Sequence, residues 1–255
     1  MKALILAAGY ATRLYPLTQN TPKPLLKLKD RPIIDYILEK IEHVGDIDRI
    51  TVVSNNKFYG QFDEWLTPKL AYSPERYSLI NDGSNTVEDR LGAIGDINLA
   101  LEKGDIDDDL LIVAGDNLFD FNLNDFIRFS YEHKPCNSIC LYLPNSNSVD
   151  LKKFGIAQLN EFGQITNFEE KPEHPKSNLI ATCIYFIPKE KLYLIPNYLN
   201  SGNHNDTPGS YISWLAQNDK VYGKICDGTW FDLGDFEAIS EALLYLNGNL
   251  TLSNS

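Results

Sequence analysis

Long apolar runs are missing from this 255-residue chain. None approaches the roughly 20 residues that span a bilayer. Basic charge is scarce as well: 23 Lys and Arg against 35 Asp and Glu leave a formal net charge of −12. That balance argues against nucleic-acid binding, which wants a basic surface. It leaves room for a nucleotide, because a local cationic pocket and a metal can serve one small anion. Cysteine is sparse: Cys136, Cys140, Cys183 and Cys226, with no C-x-x-C pair and no clustered histidine. The four read as buried free thiols, and their spacing argues against a zinc site. A signal peptide is also missing, so the expected location is the cytoplasm. No repeat and no linker divides the chain.

What is present is concentrated near the start, at residues 3–28. The stretch opens with Ala3-Leu4-Ile5-Leu6, an apolar run suited to a fully buried strand. Small residues follow at once: Ala7, Ala8, Gly9 and, after Tyr10, Ala11. Small side chains let the backbone approach a ligand, and successive amides in such a turn form an anion site. Arg13 and Lys23 come next, with Pro16, Pro22 and Pro24 stiffening the connection. A strand, a tight turn and two cations suit a polyphosphate. An ordinary strand-to-loop junction with two solvated cations is the alternative. No Gly-Lys-Ser/Thr follows, and Gly9 stands alone, so neither a Walker loop nor a dinucleotide fingerprint is present.

Periodicity predicts alternating strands and helices. Strands are expected at 50–54, 77–80 and 110–114, and helices at 33–41, 58–66 and 91–101, the first of them capped by Asp30. Such alternation implies a mainly parallel sheet, whose ligands sit beyond the carboxyl ends of the strands. Further on, strands are expected at 138–143 and 179–187, a hairpin over 155–168 and a strand at 221–226. Helices are expected at 126–131, 189–199, 211–217 and 236–246, with a polar loop at 200–206 and a polar tail after 247. Asp116 follows a buried strand and a glycine. Taken alone, it is either a Mg²⁺ ligand or a turn-forming residue.

Leu6-Ala7-Ala8-Gly9-Tyr10-Ala11-Thr12-Arg13-Leu14-Tyr15-Pro16-Leu17-Thr18, with Pro22-Lys23-Pro24-Leu25-Leu26, resembles the signature of the sugar-1-phosphate nucleotidylyltransferases. Ala11 stands where that family has a second glycine, and is tolerated if its φ stays negative. Gly115-Asp116-Asn117 resembles the family's first metal motif, and Trp230-Phe231-Asp232-Leu233-Gly234 its second. Phe168-Glu169-Glu170-Lys171-Pro172 resembles the motif whose Glu meets sugar hydroxyls and whose Lys meets the sugar phosphate. Phe154-Gly155-Ile156 and Thr182-Cys183-Ile184-Tyr185 resemble two sugar-pocket motifs, the second with Cys183 in place of a glycine. Leu91-Gly92-Ala93 stands where the family opens a helix facing the base. Arg90 precedes it, and Asn85 or a neighbour could read a base edge.

The resemblance spans nearly the whole chain. It implies a Rossmann-like, GT-A-like α/β fold, with a mixed, mostly parallel central sheet and flanking helices. One domain over 1–247 is expected, with a nucleotide half at 1–120, a sugar-phosphate half at 121–247 and a tail at 248–255. The implied substrates are an NTP, dTTP or UTP favoured, and a sugar-1-phosphate. Arg13 and Lys23 are the implied catalytic residues. Residues Ala7, Ala8, Gly9, Tyr10, Ala11, Thr12, Arg13, Leu91, Gly92 and Ala93 would bind the nucleotide. Gly155, Glu170, Lys171 and Tyr185 would bind the sugar phosphate, and Asp116 with Asp232 would hold Mg²⁺. A monomer or small homo-oligomer is expected, without the C-terminal helices that related thymidylyltransferases often carry. The rivals are a cytidylyltransferase for a phosphorylated alcohol such as phosphocholine, a nucleotide-sugar-dependent glycosyltransferase and a non-catalytic regulatory homologue.

Overall fold

The computed structural model describes residues 1–145, 149–202 and 207–248. Strand β1 (Lys2–Leu6) runs into the small-residue loop, and a short hairpin, β2 (Lys27–Leu28) with β3 (Arg31–Pro32), leads to α1 (Ile33–Glu42). Then come β4 (Arg49–Ser54), α2 (Tyr59–Tyr72), β5 (Tyr77–Asn81), α3 (Gly92–Lys103) and β6 (Leu110–Ala114). Next are β7 (Asn117–Phe119), α4 (Leu123–Glu132), β8 (Asn137–Tyr142), β9 (Gly155–Leu159), β10 (Ile165–Glu170) and β11 (Leu179–Ile187). The last are α5 (Leu194–Asn200), α6 (Pro208–Asn218), β12 (Val221–Ile225), β13 (Trp230–Asp232) and α7 (Phe236–Leu246).

The architecture is α/β. A nine-stranded sheet runs β10-β9-β11-β6-β1-β4-β5, with β8 also on β11 and β12 on β8. β1 lies parallel between β4 and β6, and β5 extends that parallel set. β11 joins antiparallel to β6, β8 and β9, so one sheet crosses both halves of the chain. Helices cover both faces, which is why β1 is apolar from Ala3 to Leu6. Ala3 and Ile5 face the cluster containing Ile33, Ile34 and Ile37, whereas Leu4 faces Ile94 and Ile97 on the opposite side.

Several local expectations need correction. Asp30 does not cap α1: the N-cap is Pro32, and Asp30 lies in the turn between β2 and β3. The helix expected over 189–199 is a 3-10 turn at Lys189–Lys191 followed by α5. Pro196 lacks the N–H that a continuous helix would need there, but fits the first turn of α5. Cys140 and Cys226 are not free thiols: they form a disulfide, while Cys136 and Cys183 are free. Part of the polar loop, 203–206, and the tail from 249 lie outside the described residues. The short strands β7 and β13 have no counterpart among the predicted elements, because three residues carry too little periodicity to register.

Candidate active site

The carboxyl ends of β1 and β6 meet at the floor of a cavity of about 560 Å³. Their approach is close. The Gly115 amide donates to Leu6 O at 2.8 Å, and a Cβ on Gly115 would lie 2.8 Å from that same oxygen and 3.2 Å from Pro24 Cγ. Only a residue without a side chain fits between the first loop and the second.

The first loop is held from several sides. The Ala7 amide donates to Val53 O at 2.9 Å, and the buried Asn55 amide donates to Ala8 O at 2.9 Å. Thr18 Oγ1 donates to Ala11 O at 2.7 Å. Ala11 adopts φ 47, ψ 44, in the left-handed region, so the negative φ expected for it is incorrect. The turn needs this conformation, and the interlocking bonds hold an alanine in it. Ala8, Gly9, Tyr10 and Arg13 line the cavity. Among the described residues, the lining does not include Ala7, Ala11, Thr12, Lys23 or Leu91.

The two acidic motifs are brought together by the unpredicted ladder. β13 pairs antiparallel with β7, setting Asp232 opposite Asn117, and the Leu233 amide donates to Asp116 O at 3.2 Å. Burial and the neighbouring Asp116 charge push the Asp232 carboxyl up to about 6, against the opposing pull of Lys23 and Arg13. Lys23 is 8% exposed and lies 2.5 Å from Asp116 Oδ2. Its ammonium therefore meets the Asp116 carboxylate directly. Among the described residues no cluster of three or more His, Cys, Asp or Glu could hold a metal. Two carboxylates alone do suit Mg²⁺, which takes one or two from protein and completes its shell with water and substrate phosphates.

The other end of the cavity comes from the C-terminal half. Gly155, Glu170, Lys171, Cys183 and Tyr185 line it, together with Thr182. Burial raises the Glu170 carboxyl, and Lys171, 3.5 Å away, opposes the shift. Pairing of β11 with β8 slips between Ala181 and Tyr185, and Cys183 at that bulge has φ 59. The family glycine is thus replaced at a left-handed position. Burial pushes the Cys183 thiol up to about 12, and Tyr185 well above its ordinary value. Asn117 Nδ2 donates to Thr182 O at 2.7 Å, so β7 is tied to the wall formed by β11.

A further part of the wall is formed by Gly92 and Ala93 of α3, with Arg90 and the buried Asp96. Asn85 lies outside the lining: its Oδ1 accepts from Asn56, and its Nδ2 donates to Gly83 O. Sequence reasoning missed Asp96, Lys153 and the segment Thr207-Pro208-Gly209, all of which line the cavity. Lys153 adjoins Phe154-Gly155, and Asp96 is one helical turn past Gly92, so both could have been found by position. The segment at 207–209 carried no local signal.

A parallel α/β sheet with a cleft at its carboxyl edge is the architecture of nucleotide-binding α/β proteins. The chain belongs to the nucleotidyl transferase family, whose model matches residues 2–248. It is 30% identical over 247 residues to the bifunctional protein GlmU of Methanocaldococcus jannaschii, covering 96% of this chain and 54% of that protein. The chain thus spans about half the length of that relative. It is 29% identical to the UTP–glucose-1-phosphate uridylyltransferase AglF of Haloferax volcanii, over 72% of this chain and 71% of that protein. Among solved structures, a Bacillus anthracis protein assigned as a glucose-1-phosphate thymidylyltransferase, bound to a sucrose, superimposes with a TM-score of 0.82 at 22% identity. That match covers 100% of this chain and 98% of the other. A UDP-glucose pyrophosphorylase complexed with UDP-glucose gives 0.74 at 18% identity, over 98% and 99% of the two chains. At these identities the two structures speak for the fold.

Proposed function

We propose that the chain joins an NTP to a sugar-1-phosphate, giving an NDP-sugar and pyrophosphate, in the cytoplasm. One observation carries the reading. The β7–β13 ladder sets Asp116 and Asp232 in the same cavity as Arg13 on one side and Glu170 with Lys171 on the other. AglF is by name a UTP–glucose-1-phosphate uridylyltransferase, and that supports the same class here.

Arg13 and the loop over Gly9-Tyr10 bind the triphosphate, and Gly92 and Ala93 face the base. Glu170 accepts hydrogen bonds from sugar hydroxyls, while Lys171 holds the sugar phosphate. Tyr185 walls the sugar pocket beside Gly155. The phosphate oxygen attacks the α-phosphorus in line, the new P–O bond forms, and the bond to pyrophosphate breaks. The nucleophile is already an anion, so no general base is required. The chain's task is to align two mutually repelling anions and offset their charge. Lys23 sits at the acidic pair, where the two phosphates would meet. Mg²⁺ held by Asp116 and Asp232 supplies charge neutralisation of the phosphates when bound.

The experiment is pyrophosphate release from five NTPs against several sugar-1-phosphates and phosphocholine. Turnover with dTTP or UTP is expected. A preference for GTP or ATP overturns the base assignment. Turnover of CTP with phosphocholine favours the phospho-alcohol rival, and absence of turnover favours a non-catalytic homologue. Asp116→Asn and Asp232→Asn should each lower turnover by on the order of 100-fold. Undiminished rates in both would reject the metal site.

A further inference from the structure

Glu170 reaches the cavity through a slot between two glycines. On one side is Gly155 of β9, where an added Cβ would lie 3.1 Å from Glu170 Oε2. On the other is Gly209, the second residue of α6, where an added Cβ would lie 1.8 Å from Oε2 and 2.7 Å from Cδ. The remaining close neighbour there is Phe168 Cε1, at 3.2 Å. A glycine in a helix is a poor choice on propensity alone, since alanine is the better helix former. Nothing in its backbone requires one either, as Gly209 has no positive φ. What the position does require is space for a carboxylate.

We infer that Gly209 is a positioning residue for sugar recognition, seating the Glu170 carboxylate where it meets the substrate's hydroxyls. The inference rests on the proposed role of Glu170. Ordinary contact is about 3.5 Å, so a methyl group at 209 forces Oε2 to withdraw by roughly 1.5 Å. A glutamate carboxylate is the free end of a flexible side chain, so it can move while the fold stays intact. Phe168 gives by a few tenths of an ångström. Gly209 thus acts on the sugar substrate through Glu170, with no contact to the nucleotide.

The test is a double-mutant cycle of Gly209→Ala and Glu170→Ala, read by pyrophosphate release with the sugar-1-phosphate used best in the panel above. In the unaltered background Gly209→Ala should raise KM for the sugar phosphate roughly 10-fold or more. KM for the NTP should stay within about twofold, and Tm should hold or rise. In the Glu170→Ala background the same change should have almost no further effect. An equal KM increase in both backgrounds, or none in the first, overturns the inference. If Glu170→Ala alone leaves sugar-phosphate use unchanged, the sugar-binding role of Glu170 fails instead. An activity-independent arm then scores displacement directly. In carboxyl-labelled protein followed by NMR, the raised Glu170 titration should fall towards the ordinary carboxylate range in Gly209→Ala, and an unmoved titration overturns the inference.

Discussion

Two residues, Ala11 and Cys183, adopt the left-handed conformation that favours glycine. An L-residue there carries a steric penalty of about 1–2 kcal/mol, of which glycine's greater freedom in the unfolded chain returns part. Ala11→Gly should therefore stabilise the protein by about 1 kcal/mol, measured by denaturant unfolding. A loss of stability would show that the Thr18 and Leu14 bonds to Ala11 O relieve the strain completely. The two lysines differ in setting. Lys23 is buried against Asp116, and Lys171 is half-exposed beside Glu170. Lys171→Ala should weaken sugar-phosphate use by roughly 10–100-fold and leave NTP binding nearly unchanged. Lys23→Ala should lower kcat/KM for both substrates, because it faces the charge where they meet. Calorimetric titration with NTP and kinetics against the sugar phosphate separate the two. Equal losses of NTP and sugar-phosphate binding in Lys171→Ala would end the two-half description of the site.

At the scale of elements, the short β7–β13 ladder brings Asp116 and Asp232 together. Asn117 is its anchor: it is 2% exposed, lies opposite Asp232, and ties β7 to Thr182 on β11. Asn117→Ala removes that bond and leaves the Thr182 carbonyl short of a donor, which costs about 1–3 kcal/mol. Turnover should fall further than stability alone explains, since Asp116 is the next residue. Thermal unfolding together with turnover below Tm checks this, and a variant with normal Tm and normal turnover would refute the anchoring role. Helix α6 works differently. It touches the cavity only through its first turn, where Thr207, Pro208 and Gly209 line the wall.

For the whole molecule, the buried acidic pair couples folding to pH. The Asp232 carboxyl moves from 3.8 in its ordinary state to about 6 in the fold. A raised acid favours the protonated folded form, so its contribution is fully present below pH 3.8 and is lost as pH rises through about 6. In EDTA, this pair should lower Tm between pH 5 and pH 7.5, and Asp232→Asn should flatten that dependence. Mg²⁺ favours the deprotonated pair, so its increment in Tm should be larger at pH 7.5 than at pH 5. Equal increments at both pH values would exclude the pair as the metal site. Among the described residues no helix is long and apolar enough to cross a membrane. Against a net charge of −12, Arg13 and Lys171 place local cations in the cavity lining.

Local composition was enough to read β1, β6, β11 and α7, because an apolar run or a helical repeat is written in neighbouring residues. It also exposed the phosphate-type loop and Asp116, since small residues and a carboxylate at a strand end are local signals, whereas Asp232 was legible only through the resemblance of its motif to the family. What composition alone left open was decided by contacts between residues far apart in the chain. Ala11 was expected at negative φ, but its conformation is imposed by bonds from Thr18 and Leu14. Trp230–Asp232 became a strand only because Asn117–Phe119 offered a partner more than a hundred positions earlier. Gly209 acquires its meaning from Glu170, which reaches it from the end of another strand. Periodicity is a property of adjacent residues, whereas pairing, enclosure and the space left for a carboxylate are properties of surfaces that meet only when the sheet has formed.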